Sequence, residues 1–294
     1  MKILSVGEII WDVYSDKRVI GGAPLNFAAH CAGCGAKSFL LSAVGNDALG
    51  DQALKSVADF GVSVELICRS VAPTGQCVVT LDEKGIPSYR VLEDVAYDNI
   101  DVEDTDIEKI NAMGFDALYF GTLIQRSAAS RAAIRRIVKE CSFDEIICDV
   151  NLRKNCYDAE SVRLCLENAS VLKISEEEEP MLQSLGFYKP QTDSCEDIAK
   201  AICREFSQIR VVIITLGEKG AFAYSSKDSK CFTQSPEKVE VVSTVGAGDS
   251  FAAAWITSYL KDKDIPLAMQ KAAALSGFVV SHTEAVPKGF VFDK

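Results

Sequence analysis

The feature that most constrains this chain is a rhythm in which apolar runs of strand length alternate with longer stretches of helical pattern. The runs fall at residues 3–10, 39–44, 117–120, 146–150, 171–174 and 211–216. A short apolar run bounded by turn residues is how a buried strand reads. Parallel neighbours need a crossover between them, so the alternation predicts βαβ units and an α/β fold with a mostly parallel central sheet between helical layers. Helices are signalled at 24–32, closed by Gly33, at 49–60, closed by Gly61, and at 247–260.

One segment departs from the rhythm. Val78, Thr80 and Leu81 lead through Asp82, Glu83, Lys84 and Gly85 into residues 88–92, the pattern of a β-hairpin. With the short segment 13–20 it predicts a small sheet standing off the main body as a lid, drawn from about 12–20 and 64–98. The 294 residues otherwise show no repeat, linker or low-complexity tract and read as one domain, 1–294.

Charge narrows the partners. There are 31 Lys and Arg against 42 Asp and Glu, a formal charge of -11, which argues against nucleic acid or an anionic membrane as partner. No apolar stretch has the length of a membrane span, and the start reads as a first strand instead of a leader. Eleven scattered cysteines in a chain of this size fit a reducing compartment, so a cytoplasmic protein is expected. Cys31 and Cys34 form a CxxC, but His30 and His282 are the only histidines and no second ligand pair accompanies it. Core cysteines are the expectation there.

Gly246, Ala247, Gly248 and Asp249 lie between a β-rich stretch, 239–242, and an apolar helix. Small residues at a helix N-terminus leave backbone N–H groups open to an anion and admit it closely. A carboxylate beside that anion is placed to take a proton from an attacking hydroxyl. The dinucleotide-binding pattern does not apply, since its third glycine position is Phe251 and the motif comes late in the chain. Near the start, Glu8 and Asp12 flank the end of the first strand, and Gly21, Gly22 and Asn26 open the next helix. Carboxylates, close backbone and an amide together suit a neutral polyol.

Asp149, Asn151 and Arg153 follow an apolar strand at a spacing of two, so in extended chain they share one face at its carboxyl end. Arg153 there is suited to a phosphate oxygen and Asn151 to a hydroxyl. Thr215, Gly217 and Gly220 form a strand-end turn able to carry a nucleotide, although Glu83-Lys84-Gly85 repeats Glu218-Lys219-Gly220 in the hairpin.

Taken in order and spacing, these segments resemble the PfkB-type carbohydrate kinases of the ribokinase-like family over nearly the whole chain. The resemblance is carried by Gly21-Gly22-Ala23-Pro24-Leu25-Asn26, by Val44-Gly45-Asn46-Asp47 and by Thr244-Val245-Gly246-Ala247-Gly248-Asp249. Gly7-Glu8 with Trp11-Asp12, Pro73-Thr74-Gly75 and Asp149-Val150-Asn151-Leu152-Arg153 are most similar to fructokinases. It implies a three-layer fold with a β lid, ATP as phosphoryl donor, Mg2+ as cofactor and a small sugar as acceptor. It further implies sugar binding by Asp12, Gly22 and Asn26, phosphate stabilisation by Gly246 and Gly248, and Asp249 as base. Glu178 would organise Mg2+ through water.

Two serines depart from the family pattern. Ser175 stands where an asparagine usually accompanies the metal-organising glutamate, and Ser243 where an aspartate usually helps bind a monovalent cation, so potassium activation is not expected. The expected reaction is phosphorylation of a free ketose, fructose first. Ribose, 2-keto-3-deoxygluconate or a nucleoside are alternative acceptors, and a sugar-binding protein that has lost turnover is the alternative from another class. A homodimer formed through the lid is also expected, because the hairpin exposes strand edges.

Overall fold

A computed structural model describes residues 1–81 and 87–291. Its main sheet is built from β1 (Lys2–Val6), β4 (Lys37–Gly45), β5 (Val62–Ser63), β6 (Ile67–Ser70), β9 (Ala117–Phe120), β10 (Glu145–Asp149), β11 (Val171–Ser175), β12 (Val211–Thr215), β13 (Ala221–Ser225) and β14 (Lys230–Gln234). The spatial order is β14-β13-β12-β11-β10-β9-β1-β4-β5, with β6 also on β4. All pairings from β12 through β1 to β5 and β6 are parallel, and only β13 and β14 run antiparallel.

Strand parity sorts the core into two layers, because successive side chains of a strand point to opposite faces. Leu118 and Phe120 of β9, with Val212 and Ile214 of β12, join one cluster. Under that face lie α3 (Asp104–Met113), α4 (Ala128–Glu140), α5 (Ala159–Asn168), α6 (Glu179–Ser184) and α7 (Cys195–Glu205). Ala117, Tyr119, Val211 and Ile213 point the other way, onto α1 (Ala23–Gly33), α8 (Ala247–Asp262) and α9 (Ile265–Val280). α2 (Ala48–Asp59) packs beside α1. The three layers expected from the alternation are present.

Strand order reverses at β1, whose neighbours are β4 and β9. In such sheets the crevice lies beyond the carboxyl ends of the strands at that switch point. The lid covers it. Its order is β3-β2-β7-β8, from β3 (Arg18–Gly21), β2 (Ile10–Val13), β7 (Gly75–Leu81) and β8 (Pro87–Val91).

Several expectations are corrected. The run 3–10 is not one strand: β1 ends at Val6 and Ile10 opens the lid, because the chain leaves the buried sheet where it must carry Glu8 into the crevice. The lid begins at Ile10, and its second part at Gly75, since β6 pairs with β4 at the main sheet. Gly33 does not close α1; Cys34 does, its N–H still donating to His30 O. The stretch 239–242 is no strand. Val242 and Ser243 both donate their N–H to Val280 O at the end of α9, which leaves the valines exposed on an open loop. The hairpin turn at Asp82 to Gly85 lies outside the described residues.

Candidate active site

Between lid and sheet lies a cleft of about 480 Å³. Asp12, Gly21 and Gly22 face it from the lid side, Asn26 from α1, and Asn151 and Arg153 from the loop after β10. Gly246, Gly248 and Asp249 close it from the start of α8. Residues singled out in the sequence therefore converge here, although they come from widely separated parts of the chain.

The turn into α8 has the geometry of an anion-accepting helix start. Gly246 has φ +81, and a Cβ there would stand 2.7 Å from Ala285 O, so the turn accepts only glycine. Among the described residues the N–H groups of Gly248 and Asp249 have no carbonyl partner, and they head a sixteen-residue helix. Ala247 differs from expectation: its N–H is spent on Thr244 O at 3.2 Å, so it shapes the turn without being free for an anion.

Asp249 is 9% exposed and accepts a hydrogen bond from Asn26 Nδ2 at 2.8 Å. Burial pushes its carboxyl up to about 6; the Asn26 bond opposes this, Asp149 adds to it, and Lys173 and Arg153 oppose it. A carboxyl so placed is ionised at neutral pH yet basic enough to take a proton.

The lid side of the cleft carries two more carboxylates. Glu8 accepts from Ala23 N–H at 3.2 Å, and burial raises it to about 7. Asp12 lies opposite Cys77 in the lid and is also raised by burial, with Arg153 opposing. Gly22 has φ +114, and a Cβ there would meet the backbone carbonyl O of Glu8 at 2.5 Å, so glycine lets the chain pass close against the Glu8 backbone. Arg153 is exposed and makes no ion pair among the described residues.

Sequence reasoning passed over Lys173. Its Nζ pairs with Asp149 Oδ2 at 2.8 Å, both groups buried, and a Cβ on Gly248 would stand 3.1 Å from it. The signal was available: a lysine inside the apolar strand 171–174 demands a buried counter-charge. Tyr119 was missed too. Its hydroxyl is buried without a partner among the described residues, under the charges of Asp149 and Asp249.

Other expectations land elsewhere. Asp149, Asn151 and Arg153 do not share a strand face, because β10 ends at Asp149 and Asn151 turns to φ +43; the turn nevertheless brings all three to the cleft. Thr215, Gly217 and Gly220 stand at the end of β12 and do not line this cleft. Glu178 does not line it either, and both its oxygens are held by backbone N–H groups.

A family model described as pfkB family carbohydrate kinase matches residues 3–288. A putative sugar kinase of Pyrococcus horikoshii is 29% identical over 285 residues, covering 90% of this chain and 84% of that protein. Its crystal structure has a TM-score of 0.79, covering 97% of this chain and 94% of that one. A 5-dehydro-2-deoxygluconokinase of Bacillus cereus is 26% identical, covering 90% of this chain and 80% of that protein. A fructokinase of Xylella fastidiosa, solved with bound ATP, has a TM-score of 0.81 at 20% identity, with 97% and 94% covered, which speaks for the fold alone. The layers, the lid and the cleft at the switch point are thus those of a ribokinase-like fold, and the chain belongs to the pfkB family of carbohydrate kinases.

Proposed function

We propose that this chain transfers the γ-phosphoryl group of ATP to a primary hydroxyl of a free ketose, with fructose as first acceptor. The observation that carries the reading is the buried Asp249 carboxylate, which shares one cleft with N–H groups of α8 that have no carbonyl partner among the described residues and with Asp12, Gly21, Gly22 and Asn151.

In this reading Asp12 accepts from sugar hydroxyls, while Gly21 and Gly22 allow the sugar close to the lid backbone. Asn26 holds Asp249 in place and Asn151 meets a further hydroxyl. Asp249 takes the proton of the attacking hydroxyl as the O–P bond forms. The N–H groups of Gly248 and Asp249, the buried Lys173 and Arg153 balance charge on the moving phosphoryl group. Catalysis in such a site is mainly positioning and charge stabilisation.

In this reading Mg2+ would be held near Asp149 and Glu178. Burial and then the charge of Asp149 raise Glu178, and Lys173 is the buried cation set against them, a surplus of carboxylate that a divalent cation relieves. Glu178 would hold it through water, and the ion would supply charge neutralisation on the phosphates. Thr215, Gly217 and Gly220 remain proposed for the nucleotide.

A second reading rests on Arg153. A guanidinium that makes no ion pair among the described residues, beside a sugar pocket, also suits an acceptor bearing a carboxylate, such as 2-keto-3-deoxygluconate. The test is ATP consumption with fructose, ribose, 2-keto-3-deoxygluconate and a nucleoside in parallel. Turnover highest on fructose supports the first reading, and turnover highest on the sugar acid replaces it with the second. Binding of sugar without consumption of ATP overturns both in favour of a protein that has lost turnover.

A further inference from the structure

Glu178 lies just after β11, at the N-cap of α6, and is 9% exposed. Each of its oxygens is engaged by a different stretch of chain. Oε2 accepts from Ser175 N–H at 2.8 Å, which fixes the carboxylate to the end of its own strand. Oε1 accepts from Leu152 N–H at 2.6 Å, across to the loop that follows β10.

Leu152 is the residue between Asn151 and Arg153, and both of those line the cleft. Asn151 holds φ +43, the left-handed region, which among side-chain-bearing residues asparagine tolerates best but still occupies only as a minority conformation. The last ladder-like bond of the strand is Val150 N–H to Lys173 O at 3.2 Å. Beyond it, among the described residues, no side chain other than Glu178 bonds the backbone of residues 151–155. The charged acceptor is suited to the task, since a hydrogen bond to an ionised group is shorter and stronger than a neutral one.

We propose that Glu178 is a positioning residue for the acceptor side of the cleft. Its carboxylate clamps Leu152, keeps Asn151 in its left-handed conformation, and so turns Asn151 and Arg153 toward the cleft before metal or nucleotide binds. A role toward Mg2+ through water uses other lone pairs of the same carboxylate, of which about four exist, so the two roles are separable. The acceptor part rests on the proposed function; the clamp itself does not.

The experiment uses the full chain without ATP or Mg2+ and compares wild type with Glu178→Gln and Glu178→Ala. Glutamine keeps one acceptor oxygen, for Leu152 or for Ser175, whereas alanine keeps none. Hydrogen exchange of a peptide spanning 150–156 reads the clamp directly. Loss of the bond to Leu152 is expected to speed exchange there about tenfold in the alanine variant, with glutamine between. Calorimetry with fructose reads the consequence, and its Kd is expected to rise about tenfold in the alanine variant although no metal is present. Unchanged exchange at 150–156 overturns the clamp. Faster exchange with unchanged fructose affinity overturns the positioning role. Wild-type protein that binds no fructose overturns the choice of acceptor, and the exchange result still decides the clamp. Should the alanine variant not fold, the glutamine variant decides by the same readings.

Discussion

Asn26 and Asp249 stand 223 residues apart in sequence and meet inside the cleft, Nδ2 of the amide donating to Oδ2 of the carboxylate at 2.8 Å. The bond joins α1 to α8, the helix that leaves the lid to the helix that carries the anion turn. In the proposed reading, this bond between the two helices is what holds the base beside both substrates.

Asp249→Asn keeps the size of the side chain and removes the base. Turnover is expected to fall roughly 10²-fold or more, with fructose affinity changed little. Steady-state kinetics beside calorimetry checks this, and a variant with near-normal turnover refutes the role of Asp249.

The raised carboxyl of Asp249 sets the pH response. The base works when ionised, so kcat/KM should fall about tenfold per unit as pH drops below about 6 and level off above it. A flat profile from pH 5 to 8 would contradict the assignment.

Glu8 should show in stability. Its folded value, about 7, lies above the ordinary 4.5, so the folded state binds this proton more tightly than the unfolded chain. The stabilisation is complete below pH 4.5 and is lost as pH rises through about 7. Glu8→Gln lacks this dependence. Relative to wild type it should gain roughly 1–3 kcal/mol between pH 5 and pH 8, read from melting curves at both.

Lys173 and Asp149 form a buried pair. Lys173→Met strands a buried carboxylate and is expected to cost about 3–5 kcal/mol in urea denaturation. Lys173→Met combined with Asp149→Asn should lose clearly less than the two single losses together. Simple additivity would show that the pair is not coupled.

Ser243 lines the cleft, and among the described residues its Oγ accepts only from Val245 N–H, at 3.2 Å. A neutral hydroxyl holds a hard cation poorly. At constant Mg2+ and ionic strength, potassium should therefore change turnover less than about threefold, under ~1 kcal/mol of barrier. Stimulation of about tenfold would mean that nearby carbonyls build the cation site unaided. The lid dimer proposed from the hairpin rests on β8, its outer strand in the four-stranded sheet; light scattering at micromolar concentration tests it.

The sequence by itself determined the layered α/β architecture, because the alternation of apolar runs admits few other foldings. Small residues before Asp249 likewise marked the anion turn, since a helix start flanked by glycine exposes its N–H groups wherever it is placed. What the sequence could not say was which segments meet. Lys173 read as one more strand residue until β11 was set beside β10 and gave it Asp149. Glu178 read only as a metal group, and its bond to Leu152 appeared once the loop after β10 was set beside it. The split of residues 3–10 between sheet and lid, and the open loop at 239–242, were decided by partners far along the chain. Local pattern records the periodicity of burial, whereas hydrogen bonds and ion pairs between distant segments depend on register and strand order, and only the tertiary structure sets those.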